Sequence, residues 1–74
     1  MVIIFDVEIF IENGDEYGEH DLLIAECKMP VVPRKGDFIR IINEGIFLVQ
    51  KVEYSILPDE NKTFIRIYVY KIII

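Results

Sequence analysis

The residues able to do covalent chemistry in this sequence are few and poorly supported. Cys27 and Ser55 are the candidate nucleophiles, and each would need a general base within hydrogen-bond reach. His20 is the single imidazole, and nothing in the spacing brings it to either of them. Cys27 falls inside an apolar strand-like stretch, which predicts an inert core thiol. Carboxylates are abundant, but a general acid needs burial to lift its pKa, and these acids fall in turns or on a predicted outer face. Asp15, Glu16, Glu19 and Asp21 gather around His20, and hard cations favour such oxygens. Their spacing departs from an Asp-x-Asn-x-Asn-Gly calcium loop, so the segment is expected to be a solvated acidic loop without a metal. One cysteine and one histidine cannot make a Cys/His zinc site, nor can one cysteine close a disulfide within the chain. The four glycines are dispersed, and none precedes a helical pattern that would cradle a phosphate. The expectation is a protein that is not an enzyme and holds no cofactor.

What remains is recognition chemistry. Phe10, Phe64, Arg66, Tyr68, Tyr70, Ile72 and Ile74 combine aromatic and aliphatic side chains with a guanidinium, the composition that interface centres favour. Six of these seven alternate along the last segment of the chain, so a strand there places them on one face.

The elements that would carry these residues follow from an apolar period of two. Residues 2–12 place Ile3, Phe5, Val7, Ile9 and Ile11 on one face, against Asp6, Glu8 and Glu12 on the other. Residues 13–21 are turn-formers and acids. A second strand over Asp21 to Lys28 follows, its phase blurred by the run Leu22-Leu23-Ile24-Ala25. Pro30 and Pro33 deny ladder donors, and Gly36 allows a tight turn into a third strand, Asp37 to Asn43. Asn43-Glu44-Gly45 makes a short hairpin connection. A fourth strand runs from Ile46 to about Tyr54, and the spacing of Val49 and Val52 predicts a bulge at Gln50 and Lys51. After a turn at 57–62, a fifth strand occupies Thr63 to the end. Its odd face carries Ile65, Ile67, Val69 and Ile73, and its even face the recognition residues. The expected core is Ile3, Phe5, Val7, Ile9, Ile39, Ile41, Val49, Val52, Ile65, Ile67 and Val69. Short strands joined by turns predict an all-β fold, a single small five-stranded barrel over residues 1–74.

The stretch Pro30-Val-Val-Pro33-Arg-Lys-Gly36-Asp37-Phe-Ile39-Arg-Ile41, followed by Phe47-Leu-Val49-Gln-Lys-Val52, resembles small uncharacterised proteins of bacteria and their phages that adopt SH3-like barrels. The resemblance spans about half the chain and rests on a Pro-x-x-Gly-Asp strand opening ahead of a Val-x-x-Val strand. It implies an SH3-like barrel, with Asp37 capping the turn made by Gly36. By analogy it also suggests a phage or mobile-element protein acting on a host protein.

Length and charge narrow the function classes. A domain of 74 residues buries only ~60% of its unfolded surface, and with disulfides and zinc closed to it, association is the remaining support. The net charge is −5, unevenly spread: residues 1–30 hold eight acids against Lys28 alone, and residues 31–74 hold five acids against seven bases. An acidic end repels nucleic acid and attracts basic protein surfaces. No apolar run approaches the ~20 residues of a membrane span, and no basic-then-apolar leader opens the chain. The chain therefore reads as complete and cytoplasmic, its lone thiol suited to a reducing compartment. The sequence predicts a non-enzymatic protein-binding module that self-associates, with a dimer built partly on the fifth strand. Two alternatives stand beside it. One is a nucleotide-like small-molecule binder using Tyr17, Tyr68 and Arg66. The other is a single-stranded nucleic-acid barrel stacking bases on Phe10, Tyr68 and Tyr70 near Arg66 and Lys71.

Overall fold

A computed structural model describes residues 4–72, and it is all-β. The strands are β1 (Phe5–Ile11), β2 (Leu22–Met29), β3 (Phe38–Ile41), β4 (Gly45–Leu57) and β5 (Lys62–Ile72). A single 3-10 turn at Pro58–Glu60 joins the last two. No helix among the described residues is long and apolar enough to cross a membrane. The strands form one sheet in the order β2-β1-β5-β4-β3, curled into a half-barrel. Two local antiparallel units, the β1–β2 hairpin and the β3–β4–β5 meander, meet where β1 runs parallel to β5, Val7 beside Ile65 through Ile11 beside Val69. β2 and β3 are the two sheet edges.

The alternation of apolar residues decides which face turns inward. Val7 and Ile9 of β1, Phe47 and Val49 of β4, and Ile65, Ile67 and Val69 of β5 form the buried cluster on the concave face. Phe5, Ile39, Ile41 and Val52 pack against it half-buried, as does Val32 from the segment linking β2 to β3. Ile3 lies outside the described residues. Phe47 joins the core although its own strand gave it no special prominence, because β3 places Ile39 directly beside it.

Two bulges keep the alternation in register. In β4, Val49 pairs with Val69 and Lys51 with Tyr68, leaving Gln50 as the extra residue, so Val49 and Val52 both face inward despite their odd spacing. In β2, Ala25 pairs with Ile9 and Leu23 with Phe10, leaving Ile24 over. That second bulge is why the phase of Leu22-Leu23-Ile24-Ala25 is blurred in the sequence. The turn into β3 closes as its residues require. Gly36 sits at φ 95°, a region open to glycine. The Asp37 carboxylate accepts the Arg34 backbone N–H at 2.8 Å.

The Cys27 thiol corrects one expectation. It is exposed, not buried in the core. Its partner Val7 is buried, but β2 is an edge strand with no neighbour beyond it, among the described residues, to cover the same face.

Before Ile65 in β5, towards the turn that joins it to β4, the β4–β5 hairpin extends past the rest of the sheet. β1 accompanies β5 only over Ile65 to Val69, and β3 accompanies β4 only over Gly45 to Leu48. The remaining two-stranded arm exposes Tyr54, Ile56, Leu57 and Phe64. Its reach helps explain a radius of gyration of 13.1 Å, against about 11 Å expected for a chain of this length.

Candidate protein-interaction surface

The convex face of the sheet carries the residues that the alternation pushes away from the core. At its centre the parallel pairing sets Phe10 of β1 beside Tyr68 of β5, their rings stacked with centroids 5.8 Å apart at 26°. The β4 bulge sets Lys51 beside Tyr68, its Nζ over the ring at 4.3 Å from the centroid. Arg66 lies one step along β5, its guanidinium carbon 5.4 Å from the Phe10 centroid and its Nε 3.5 Å from Glu8 Oε1. Lys51 in turn reaches Glu12 at 3.7 Å. The neighbouring Tyr68 phenol, ahead of Glu8, raises the already high pKa of Arg66, which stays cationic at every relevant pH. The result is an aromatic pair clamped by two cations, Arg66 tethered to Glu8 within β1 and Lys51 to Glu12 just past its end.

A second, more apolar zone adjoins it. Cross-strand pairing aligns Phe38, Leu48 and Tyr70 in one row and Arg40, Ile46 and Ile72 in the next. Phe38 is 68% exposed and Tyr70 43% exposed. Leu48, Ile46 and Ile72 are half-buried. Side chains directly opposite across a sheet lie close enough to touch, so these rows form one continuous patch.

The recognition residues expected from the sequence are therefore not equivalent. Arg66, Tyr70 and Ile72 share the convex face, with Phe10 beside them and Phe64 at the root of the arm. Tyr68 lies among them at only 5% exposure, its ring covered by Phe10 and Lys51 from two other strands. Ile74 lies outside the described residues. Phe38, Ile46 and Leu48 are patch members that the sequence did not single out. The alternation of β3 puts Phe38 opposite Ile39, which was legible, whereas the alignment of Leu48 with Tyr70 depends on a pairing no local signal encodes. Lys71 pairs with Phe47 on the opposite face, separated from the Phe10–Tyr68 stack.

The acidic loop is organised by its own carboxylates. Asp15 accepts the Glu19 backbone N–H at 2.8 Å and Asp21 accepts that of Asn13 at 3.1 Å. Glu16, Glu19 and Asp21 are exposed, and Tyr17 stands 78% exposed among them. Among the described residues no three of His, Cys, Asp and Glu converge as a metal site would require.

A groove opens on the other side of the sheet, where the segment between β2 and β3 crosses the mouth of the half-barrel. Phe5, Val52 and Tyr54 line it, with Pro30, Pro33, Arg34 and Lys35 along the crossing segment. No protein-family model, curated protein or solved structure matches the chain.

Proposed function

We propose that the chain is a non-enzymatic protein-binding module that self-associates, and that its partner docks on the convex face of β3, β4 and β5. The observation that carries this reading is the row Phe38–Leu48–Tyr70, exposed at Phe38 and Tyr70 and half-buried at Leu48, beside the cationic pair Arg66 and Lys51. Contiguous apolar surface rimmed by charge is what monomeric proteins avoid and interfaces use. Tyr68 and Phe10 act beneath this surface as its rigid support. The setting is the cytoplasm, where the exposed thiol of Cys27 stays reduced.

The test is affinity capture from bacterial lysate with wild type and with Phe38→Glu/Tyr70→Lys as baits, both first shown to melt alike. A partner retained by wild type and lost by the variant supports the reading. Equal capture by both places binding elsewhere.

A second reading is favoured by one feature. The groove edged by Phe5 and Tyr54 carries Arg34 and Lys35 at its rim, a pairing of aromatic and cationic groups suited to a nucleotide-like anion. Thermal-shift screening against nucleotides, with Tyr54→Ala and Arg34→Ala as controls, separates this from protein binding. Single-stranded nucleic acid is the weakest fit, because Tyr68 has little free ring for a base and Lys71 faces the other way.

A further inference from the structure

We infer that two copies of the chain join edge to edge through β2, antiparallel, with the two-fold axis passing through Cys27. The inference rests on the reading that the chain self-associates, and it names the surface. Among the described residues β2 pairs with β1 on one side and with nothing on the other, so half of its backbone donors and acceptors point at open edge. Glu26, Cys27 and Lys28 are exposed in succession along that edge.

The charges on β2 are unbalanced in a way a second copy corrects. Glu26 stands directly opposite Glu8 of β1, a like-charge pair across the ladder. Arg66 serves Glu8 from the far side at 3.5 Å, while Glu26 makes no ion pair among the described residues. Lys28 reaches Asp6 at 3.7 Å, with both side chains largely in water. Alternation of side chains restricts how two identical antiparallel strands can pair. Residues facing each other must lie on the same face, so a two-fold axis perpendicular to the sheet passes through a residue position. An axis at Glu26 opposes it to its own copy, and an axis at Lys28 does the same for the lysine. An axis at Ala25 sets Glu26 against Ile24. With the axis at Cys27, Glu26 of each copy faces Lys28 of the other, twice by symmetry.

The same register suits the core face. It sets Met29 opposite Ala25 of the second copy, and both residues already pack against the buried cluster. Pro30, which has no backbone N–H, ends the pairing at the next position. A closed two-fold pair consumes both β2 edges and leaves no β2 edge free for a third copy. It also leaves the convex patch of β3, β4 and β5 on each copy free for another partner.

Sedimentation equilibrium of the intact chain at tens of micromolar, with Glu26→Lys, Lys28→Glu and the double exchange, tests the register. Each single variant turns both cross-copy pairs into repulsions and weakens the dimer on the order of ten-fold, while the double exchange restores it. Circular dichroism melts establish that each variant folds. A short bismaleimide should link wild type into a covalent dimer through Cys27 and leave Cys27→Ser unlinked. A wild-type dimer that ignores both single exchanges and resists linkage overturns the β2 register while leaving self-association through another surface standing. A wild-type monomer overturns both readings.

Discussion

Deleting a residue from the middle of a strand inverts every side chain beyond it, and in a small sheet this ordinarily abolishes folding. Gln50 should be an exception. It is the unpaired residue between the Val49–Val69 and Lys51–Tyr68 pairs. Removing it leaves Val49 inward, Lys51 outward and Val52 inward in unbroken alternation, with each keeping its present partner on β5. No buried side chain is expelled, so the cost is limited to the local twist that the bulge supplies. Deleting Leu48, two residues earlier, makes Phe47 and Val49 adjacent, and both are now buried at 3% and 1% exposure. One must then leave the core, forfeiting about 1.5–3 kcal/mol of burial before any ladder bonds are counted. The folded state of a chain this length is worth about 4–11 kcal/mol, so the second deletion takes a large fraction and the first a small one. Urea unfolding followed by circular dichroism gives both values from the midpoint and slope. If the Gln50 deletion destabilises as much as the Leu48 deletion, the bulge assignment and the facing of Val49 and Val52 are wrong.

Other expectations follow from burial and from the turns. Ile67→Ala removes a fully buried side chain and should cost about 2–5 kcal/mol, whereas Ile56→Ala on the exposed arm should stay within about 0.5 kcal/mol; thermal melts of the pair decide. Tyr68→Lys should lower the melting temperature of the chain itself, since the ring is covered by Phe10 and Lys51; an unchanged melt would mean the stack contributes nothing. Asp37→Ala, which strips the acceptor from the Arg34 N–H, should cost roughly 1 kcal/mol by urea titration, and Asp37→Asn less. Fluorescence anisotropy with single-stranded DNA at physiological salt should show no sub-micromolar affinity; a tight, steeply salt-dependent complex would refute the reading of the charge balance.

Features written in adjacent residues were legible in the sequence. The alternation of β1, the Asp37 cap, the Asn43-Glu44-Gly45 connection and the bulge at Gln50 all depend on neighbours along the chain. Features that depend on which strand lies beside which were not. Cys27 has the surroundings of a core residue in sequence and loses its cover only because β2 ends the sheet. Tyr68 sits on the face expected to be open, and Phe10 and Lys51 cover it from strands distant in the chain. The arm was partly hidden for the opposite reason. Tyr54 to Leu57 continue the apolar content of a core strand, and only the early end of β3 and the short overlap with β1 show that, among the described residues, no third strand flanks them. Of the candidate surface, Arg66 and Tyr70 could be named in advance, whereas Phe38, Ile46 and Leu48 needed the register.

The parallel pairing of β1 with β5 sets the order in which the chain can fold. The β1–β2 hairpin, closed by the acidic loop of residues 12–21, and the β3–β4–β5 meander, closed by short turns, are each local in sequence and can form as soon as their own residues exist. Their union must wait for β5, the last of these five strands to be synthesised, to find β1, the first of the five. Until then Val7 and Ile9, among the most buried side chains in the finished sheet, have only the outermost strand beside them. Non-local closure of this kind slows folding, because loop entropy is lost before the contact that compensates for it forms. The acids that alternate with those apolar residues, Asp6, Glu8 and Glu12, keep the waiting strand charged on one face. They act as gatekeepers against premature pairing with other chains during synthesis.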